Sequence, residues 1–353
     1  INKGINGTIR YYGCPAEEGG SGKAYMARAG LFNDLDLALT WHPGGYNSVM
    51  SMSSLANFQV YYRFYGRAAH AAGSPHLGRS ALDAVELMNV GVNFLREHVI
   101  PEARMHYAIT NTGGSAPNVV QAEAEVLYLI RAPELDYVRE MYERINDIAK
   151  GAALMTGTKL EIVFDKACSN VIPNHTLGKV LQGNLEKVVK DVRYSKQEIE
   201  YAKEIQKTFP TGSNPIKKLL PLLDEEGKKI VKRLEDKSLC QEVVPYIKYE
   251  SPMSGSTDVG DVSWVTPTAQ FNAVCCALGT PGHSWQYVAQ NNTSIAHKGV
   301  LIAGKTLALA AIDLYENTEI IKKAKIEHLE TLDGKIYECP IPSDVKPAVH
   351  RNL

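Results

Sequence analysis

The stretch Phe58-Gln59-Val60-Tyr61-Tyr62-Arg63-Phe64-Tyr65 puts Phe58, Val60, Tyr62 and Phe64 on one side of an extended chain. Gln59, Tyr61, Arg63 and Tyr65 fall on the other side. A period of two predicts a strand with one buried face. Working outward, the pattern predicts a helix over 80–98, entered after Gly78, and strands near His106–Thr110 and Glu123–Arg131. A helix over 134–153 and a strand at Lys159–Phe164 complete the series. The order βαββαβ is that of the split ferredoxin-like unit. Residues 55–168 are therefore expected to form an inserted lid or dimerisation domain.

On either side the character is α/β. The opening reads as strand 7–13, helix 21–30 stopped by Gly30, and strand 36–42. Residues 177–250 are charged and mostly helical, and interleaved signs at Lys196–Lys207 and Glu225–Lys237 read as solvated helix faces. From 254 the α/β pattern returns, with a buried strand at Ala269–Leu278 and an Ala/Leu helix at Gly299–Tyr315. The expected fold is α/β: a three-layer catalytic domain from 1–54 and 169–353, with its site at the carboxyl ends of the strands.

Bulk properties narrow the function classes. A net charge of −1 without a long basic run argues against a nucleic-acid partner. No apolar stretch approaches the ~18 residues of a membrane span, so no membrane partner is expected. The six cysteines show no Cys-x-x-Cys pair, which points to a reduced, cytoplasmic protein. The pair Cys275–Cys276 reads as small buried hydrophobes.

Chemistry concentrates in Gly13-Cys14-Pro15-Ala16-Glu17-Glu18-Gly19-Gly20. The ordinary reading of Glu17 and Glu18 is a solvated acidic turn. Three features argue for more. The pair and Trp41-His42-Pro43 both end predicted strands, glycines let a ligand approach closely, and His283 follows an apolar strand in a Gly-Thr-Pro-Gly-His loop. Two histidines and a carboxylate suit zinc, manganese or cobalt. Two decoys fail. Gly20-Ser21-Gly22-Lys23 lacks the spacing of a phosphate loop, and Gly282-His283-Ser284-Trp285-Gln286 lacks the second glycine of a nucleophile elbow. A serine hydrolase using Ser284 stays a minor reading.

These motifs resemble the co-catalytic metallopeptidases, a family that includes aminoacylases, glutamate carboxypeptidase and N-acyl amino acid amidohydrolases. Within it the chain is most similar to the branch that holds the B-subunit of p-aminobenzoyl-glutamate hydrolase. The carriers are Pro15–Gly20, Trp41-His42-Pro43, Gly66–Ala72, Gly113-Gly114-x-x-x-Asn118, Ile130-Arg131, Gly255-Ser256-Thr257-Asp258 and the final histidine loop. The resemblance implies a metal-dependent amidohydrolase with two divalent ions per subunit (manganese or zinc, cobalt as an alternative). It implies Glu17 as general base and Glu18, His42 and His283 as metal ligands, with His297 competing for the last place. His70 would reach into a partner subunit's site and polarise the scissile carbonyl. Asn118, Arg131 and Ser256 would bind the substrate carboxylate or the oxyanion. The implied partners are a carboxylate-bearing amide substrate, a second copy docked through the lid, and a possible second subunit.

The family's His-x-Cys-Gly-His-Asp/Asn segment, which supplies the bridging ligand and another histidine, is not found in this chain. Ile1 reads as a cut inside a domain, so the N-terminal part of the catalytic domain is expected to be absent from the chain as given. The rival expectation is a non-catalytic dimerising or binding subunit with a degenerate metal site. Function of the charged 177–250 insert is not readable from its residues.

Overall fold

The computed structural model describes residues 7–210 and 214–347. Two short helices, α1 (Glu17–Gly20) and α2 (Gly22–Arg28), lead to strands β1 (Ala38–Gly44) and β2 (Ser48–Met50). Next come β3 (Ala56–Tyr65), α3 (Ala81–Leu95), β4 (Arg104–Asn111), β5 (Glu123–Ala132), α4 (Leu135–Thr156) and β6 (Lys159–Cys168). Helices α5 (His175–Val189), α6 (Lys196–Gln206), α7 (Glu225–Leu234) and α8 (Val259–Val265) precede β7 (Thr268–Val274). The chain then runs through α9 (Trp285–Gln290), α10 (Ser294–Glu316) and α11 (Thr318–Leu332).

The segment 56–168 builds one antiparallel sheet in the order β4-β5-β3-β6. The period-two reading of β3 holds. Phe58, Val60, Tyr62 and Phe64 are buried with Val126, Tyr128 and Ile130 of β5 under α3 and α4. Two buried hydroxyls find partners on the helices, Tyr62 to Asn146 at 2.8 Å and Tyr128 to Asn89 at 2.6 Å. Those bonds let tyrosines occupy a core position that would otherwise strand a polar group. Among the described residues β4 pairs on one side only, leaving an outer edge.

The second sheet has the order β1-β7-β2, with β1 parallel and β2 antiparallel to the central β7. Leu177, Leu181 and Leu185 of α5 and Ile302, Ala303, Ala310 and Leu314 of α10 pack on Phe271 and its neighbours. The expectation that no apolar segment is long enough for a bilayer needs correction. By length and composition α10 is long and apolar enough, at 23 residues and mean hydropathy 1.4, although its Ile302–Leu314 face is part of the core.

A second correction concerns 7–13, expected as a strand. Residues 7–16 carry no regular structure, with Ile9 and Tyr11 exposed. Alternation alone does not make a strand where no neighbouring strand accepts its hydrogen bonds, and none does among the described residues. The helix expected over 21–30 is real but starts earlier, broken at Ser21, and Gly30 ends it at φ 77°, a left-handed conformation suited to glycine.

The charged 177–250 stretch carries more than solvated faces. Ser195 and Glu198 form a capping box at the start of α6. Glu198 also meets Lys298 at 2.6 Å and Ser294 at 2.7 Å, tying α6 to α10. Burial alone would raise this carboxyl, but Lys298, Ser294 and Ser195 overcome it and hold it at about 2. Beyond α11 a strap crosses α2: Arg28 donates to the carbonyls of Pro342 and Val345, and Ile341 enters the core beneath the lid sheet.

Candidate functional site

Glu17 and Glu18 do not end a strand. They lie on the single helical turn α1, bracketed by left-handed Ala16 (φ 61°) and Ser21 (φ 51°). A Cβ on Gly22 would collide with the Pro15 carbonyl oxygen, so that tight approach needs glycine. Non-glycine residues in this region cost energy and persist only where surroundings enforce them.

Four contacts enforce it. The Lys23 N–H donates to Asp258 Oδ2 at 2.9 Å, and Lys23 Nζ pairs with Asp258 Oδ1 at 2.7 Å. Lys166 Nζ donates to the Glu18 carbonyl at 2.9 Å, and Ser21 Oγ meets Cys168 Sγ at 3.1 Å. The turn is thus pinned from below by the 255–258 loop and from the side by β6. Glu17 is half-buried and Glu18 exposed. Lys23, part of the discarded phosphate-loop decoy, is a structural clamp that the residue pattern did not reveal.

Behind the clamp lies fully buried Asp261, which accepts from the Ser169 N–H, the Ser169 hydroxyl at 2.9 Å and the Tyr337 hydroxyl at 3.0 Å. Burial pushes its carboxyl up to about 7. A folded-state pKa above the unfolded one means the folded form holds the proton more tightly. Its stabilising contribution is fully present below pH ~4 and is lost as pH rises through about 7. Wild-type melting temperature should therefore fall between pH 5 and pH 8 more steeply than that of Asp261→Asn. Parallel profiles, measured by scanning calorimetry, would refute this assignment.

His42 stands on β1 beside Asn272 of β7, its Nδ1 2.6 Å from the Pro43 carbonyl. The same carbonyl accepts from the Tyr287 hydroxyl at 2.8 Å. Burial raises the Tyr287 phenol, with smaller contributions from Cys276, Cys275 and Glu18. His283 is exposed, at left-handed φ 53°, in the loop before α9. Glu18, His42 and His283 sit on the α1 turn, on β1 and in the loop before α9. They are not drawn into a coordination sphere: among the described residues no three His, Cys, Asp or Glu side chains form a metal-binding group. Their donor types fit a borderline divalent ion, but their arrangement supplies no assembled centre. His297 is exposed on the first turn of α10, with Nε2 3.3 Å from Asn292 Oδ1. Ser284 spends its oxygen capping α9 and its proton on the Pro281 carbonyl at 2.7 Å, which leaves no nucleophile there.

The lid residues separate into two groups. Arg131 pairs with Asn57 across the ladder at the end of the sheet nearest the turn, and one guanidinium nitrogen reaches the Ser254 carbonyl at 3.3 Å. Among the described residues Arg131 Nε, Asn57 Oδ1 and Ser256 Oγ are buried without a hydrogen-bond partner. Burial also works against the Arg131 charge. The Arg131 Nε–H and the Ser256 hydroxyl can donate to an anion, whereas the Asn57 Oδ1 is an acceptor; an unpaired donor on a desolvated guanidinium is costly unless an anion joins it. Nothing in the residue pattern marks Asn57; only its register opposite Arg131 places it here.

His70 and Asn118 lie at the other end. His70 bridges to Val119, and the Asn118 carbonyl accepts from the Ala71 N–H at 2.9 Å. His70 Nδ1 accepts from the Gly73 and Ala72 N–H groups at 3.1 and 3.3 Å, which places the proton of a neutral ring on Nε2 and leaves it free to donate. From Asn57 to Tyr65 the strand spans roughly 27 Å. The expected substrate-binding set is therefore not assembled within one chain: Asn118 and His70 stand a strand's length from Arg131.

A family model described as the peptidase dimerisation domain matches residues 52–155. The chain is 50% identical over 347 residues to the B-subunit of p-aminobenzoyl-glutamate hydrolase from Escherichia coli (strain K12), covering 98% of this chain and 72% of that protein. It is 29% identical to the Xaa-Arg dipeptidase of Mus musculus, covering 94% of this chain and 63% of that protein. The crystal structure of aminobenzoyl-glutamate utilization protein from Klebsiella pneumoniae superposes with TM-score 0.52 at 18% identity, covering 82% of this chain and 57% of that one, a likeness of fold.

Proposed function

This chain belongs to the co-catalytic metallopeptidase and aminoacylase family, on the branch of the p-aminobenzoyl-glutamate hydrolase B-subunit, and from that premise we propose that it hydrolyses an amide or peptide bond next to a free carboxylate. The substrate is an N-acyl or N-aroyl amino acid or dipeptide of the p-aminobenzoyl-glutamate kind. The observations that carry this reading are the pinned Glu17–Glu18 turn and the half-buried Arg131, whose Nε, like Ser256 Oγ, is buried without a hydrogen-bond partner among the described residues.

Arg131 offers a fork that matches a carboxylate and Ser256 a hydroxyl beside it, so together they orient the amide. Glu17, held half-buried by its anchored turn, takes the proton of the attacking water and returns it to the leaving amine. A divalent ion supplies Lewis-acid activation when bound, and Glu18, His42 and His283 are the residues of this chain that would hold it. Manganese and zinc suit these donors, and the expected count is two ions for each copy of the chain.

His70 Nε2 and Asn118 act on the site of a second copy, since about a strand's length separates them from Arg131 in their own chain. Residues 55–168 then serve as the lid and dimerisation domain between catalytic segments 1–54 and 169–353. The outer edge of β4, with Tyr107 and Ile109 exposed, and Leu87, Val90 and Phe94 of α3 supply the apolar surface for that dimer. A distinct second subunit is a further partner. The six cysteines are all free, which fits a cytoplasmic location.

N-Benzoyl-glutamate and the same compound with its α-carboxyl blocked as an amide test the reading. The free acid should be cleaved at least about 100-fold faster, because the blocked form leaves Arg131 unpaired. Equal rates would contradict a carboxylate requirement.

A further inference from the structure

The lid strand β6 changes face partway along. Leu160, Ile162 and Phe164 pack on the core under α3 and α4, and so does Ala167. Even-numbered residues face that core up to Phe164, and an odd-numbered one faces it afterwards. The ladder shows the cause. Val60 stands opposite Phe164 but Gln59 opposite Lys166, so Asp165 is one extra residue, a β-bulge. Gln59 Nε2 donates to buried Asp165 Oδ2 at 2.7 Å and braces the bulge. Successive strand residues point to opposite faces, so one inserted residue exchanges the faces of those that follow.

Without the bulge, Lys166 and Cys168 would point toward the helices. With it they point to the open face, where both meet the turn that carries Glu17 and Glu18. Lys166 Nζ donates to the Glu18 carbonyl at 2.9 Å, and Cys168 Sγ meets Ser21 Oγ at 3.1 Å, one contact on each side of Gly19-Gly20. Arg131 alternates with buried Ile130 and shares this face. Cys168 stands opposite Asn57 and Asn57 opposite Arg131, so the three form a row across β6, β3 and β5. Neighbouring strands lie about 4.8 Å apart, which sets the backbones of Arg131 and Cys168 roughly 10 Å from one another on one continuous sheet.

We propose that Lys166 is a positioning residue: through the Asp165 bulge the lid sheet holds the Glu17–Glu18 turn as well as Arg131, and so fixes the proton acceptor relative to the bound carboxylate. Lys23 and Asp258 clamp the turn to its own domain, whereas Lys166 clamps it to the lid. Lys166 grips the backbone of the turn, so it acts through Glu17. A misplacement of about 1 Å at reacting groups costs roughly 10²-fold in rate. Losing the Lys166 grip should therefore lower kcat, while Arg131 still holds the carboxylate and KM stays. The catalytic consequence rests on the amide-hydrolase reading, but the coupling of lid to turn is a property of the fold.

Two measurements on the full-length, metal-loaded protein separate the claims. Lys166→Met keeps the apolar stem and removes the donor, and Lys166→Arg keeps a donor. In steady-state hydrolysis of N-benzoyl-glutamate, Lys166→Met should lower kcat about 10- to 100-fold with KM within about twofold, and Lys166→Arg should recover most of the loss. In hydrogen exchange read by mass spectrometry, residues 15–22, where the Gly20 N–H bonds the Ala16 carbonyl, should exchange at least about fivefold faster in Lys166→Met, with β7 unchanged. A fall in kcat that arginine does not restore, or a KM that rises in step with a falling melting temperature, marks a merely structural side chain and overturns the proposal. Unchanged exchange over 15–22 overturns it too, whatever the kinetics. Faster exchange of that segment in a protein whose wild type cleaves no amide would sustain the lid-to-turn coupling and refute the hydrolase.

Discussion

Glu17→Ala lowers kcat/KM for an N-aroyl-glutamate by about 10³-fold, with Glu17→Gln close behind. A positioned general base contributes roughly 10²–10⁴-fold, and neither alanine nor glutamine can take a proton. The effect should be confined to turnover. What holds α1 is its backbone and its neighbours: Asp258 grips Lys23, Lys166 grips the Glu18 carbonyl, and Ser21 meets Cys168. The Glu17 side chain takes no part in those contacts. Melting temperature should therefore move by no more than about 2 °C, as for a surface substitution. Asp258→Ala would do the opposite, removing the buried partner of Lys23 and loosening the turn together with the fold. If Glu17→Ala retains turnover within fivefold, the chain is not using this carboxylate, and the rival reading of a non-catalytic dimerising or binding protein gains the ground.

Arg131→Leu is expected to cost about 2–5 kcal/mol in kcat/KM, or roughly 30- to several-thousand-fold, carried mainly by KM. The guanidinium is half-buried and, among the described residues, makes a single hydrogen bond, to the Ser254 carbonyl at 3.3 Å. Burial already disfavours its charge, so removing it should leave stability unchanged or slightly improved. Loss of activity with gain of stability marks a group kept for a ligand rather than for the fold. Arg131→Lys should recover only part of the loss, because an ammonium lacks the planar fork that meets both carboxylate oxygens. Should Arg131→Leu unfold the protein while sparing KM, the residue is an ordinary edge-strand arginine.

The parts of this molecule that were legible beforehand are those with strong periodicity. Phe58, Val60, Tyr62 and Phe64 announced β3 because a half-buried sheet writes its two faces into alternate residues, and the helices and strands to 168 followed in register. The motif residues were legible as types and order. Their placement was not. Local pattern put Glu17 and Glu18 at a strand end, but a strand needs a partner, and left-handed Ala16 and Ser21 fold them into a turn. Nothing local announces that Lys23 reaches Asp258, 235 residues away, or that Tyr337 reaches Asp261 across 76. The Arg131–Asn57–Cys168 row likewise exists only once the ladder register is known. The split of His70 and Asn118 from Arg131 also needed the sheet, because sequence order does not reveal which strand end faces the site.

The central claim is that the pinned Glu17–Glu18 turn and the Arg131 group form a metal-dependent amidohydrolase site. Hydrolysis of p-aminobenzoyl-glutamate by the full-length protein, followed before chelation, after chelation and after adding back Mn²⁺ or Zn²⁺, tests it most directly. Chelation should remove turnover and the added metal restore it, with Glu18→Ala failing to recover. Turnover indifferent to chelation, or none in the metal-loaded protein, would contradict it.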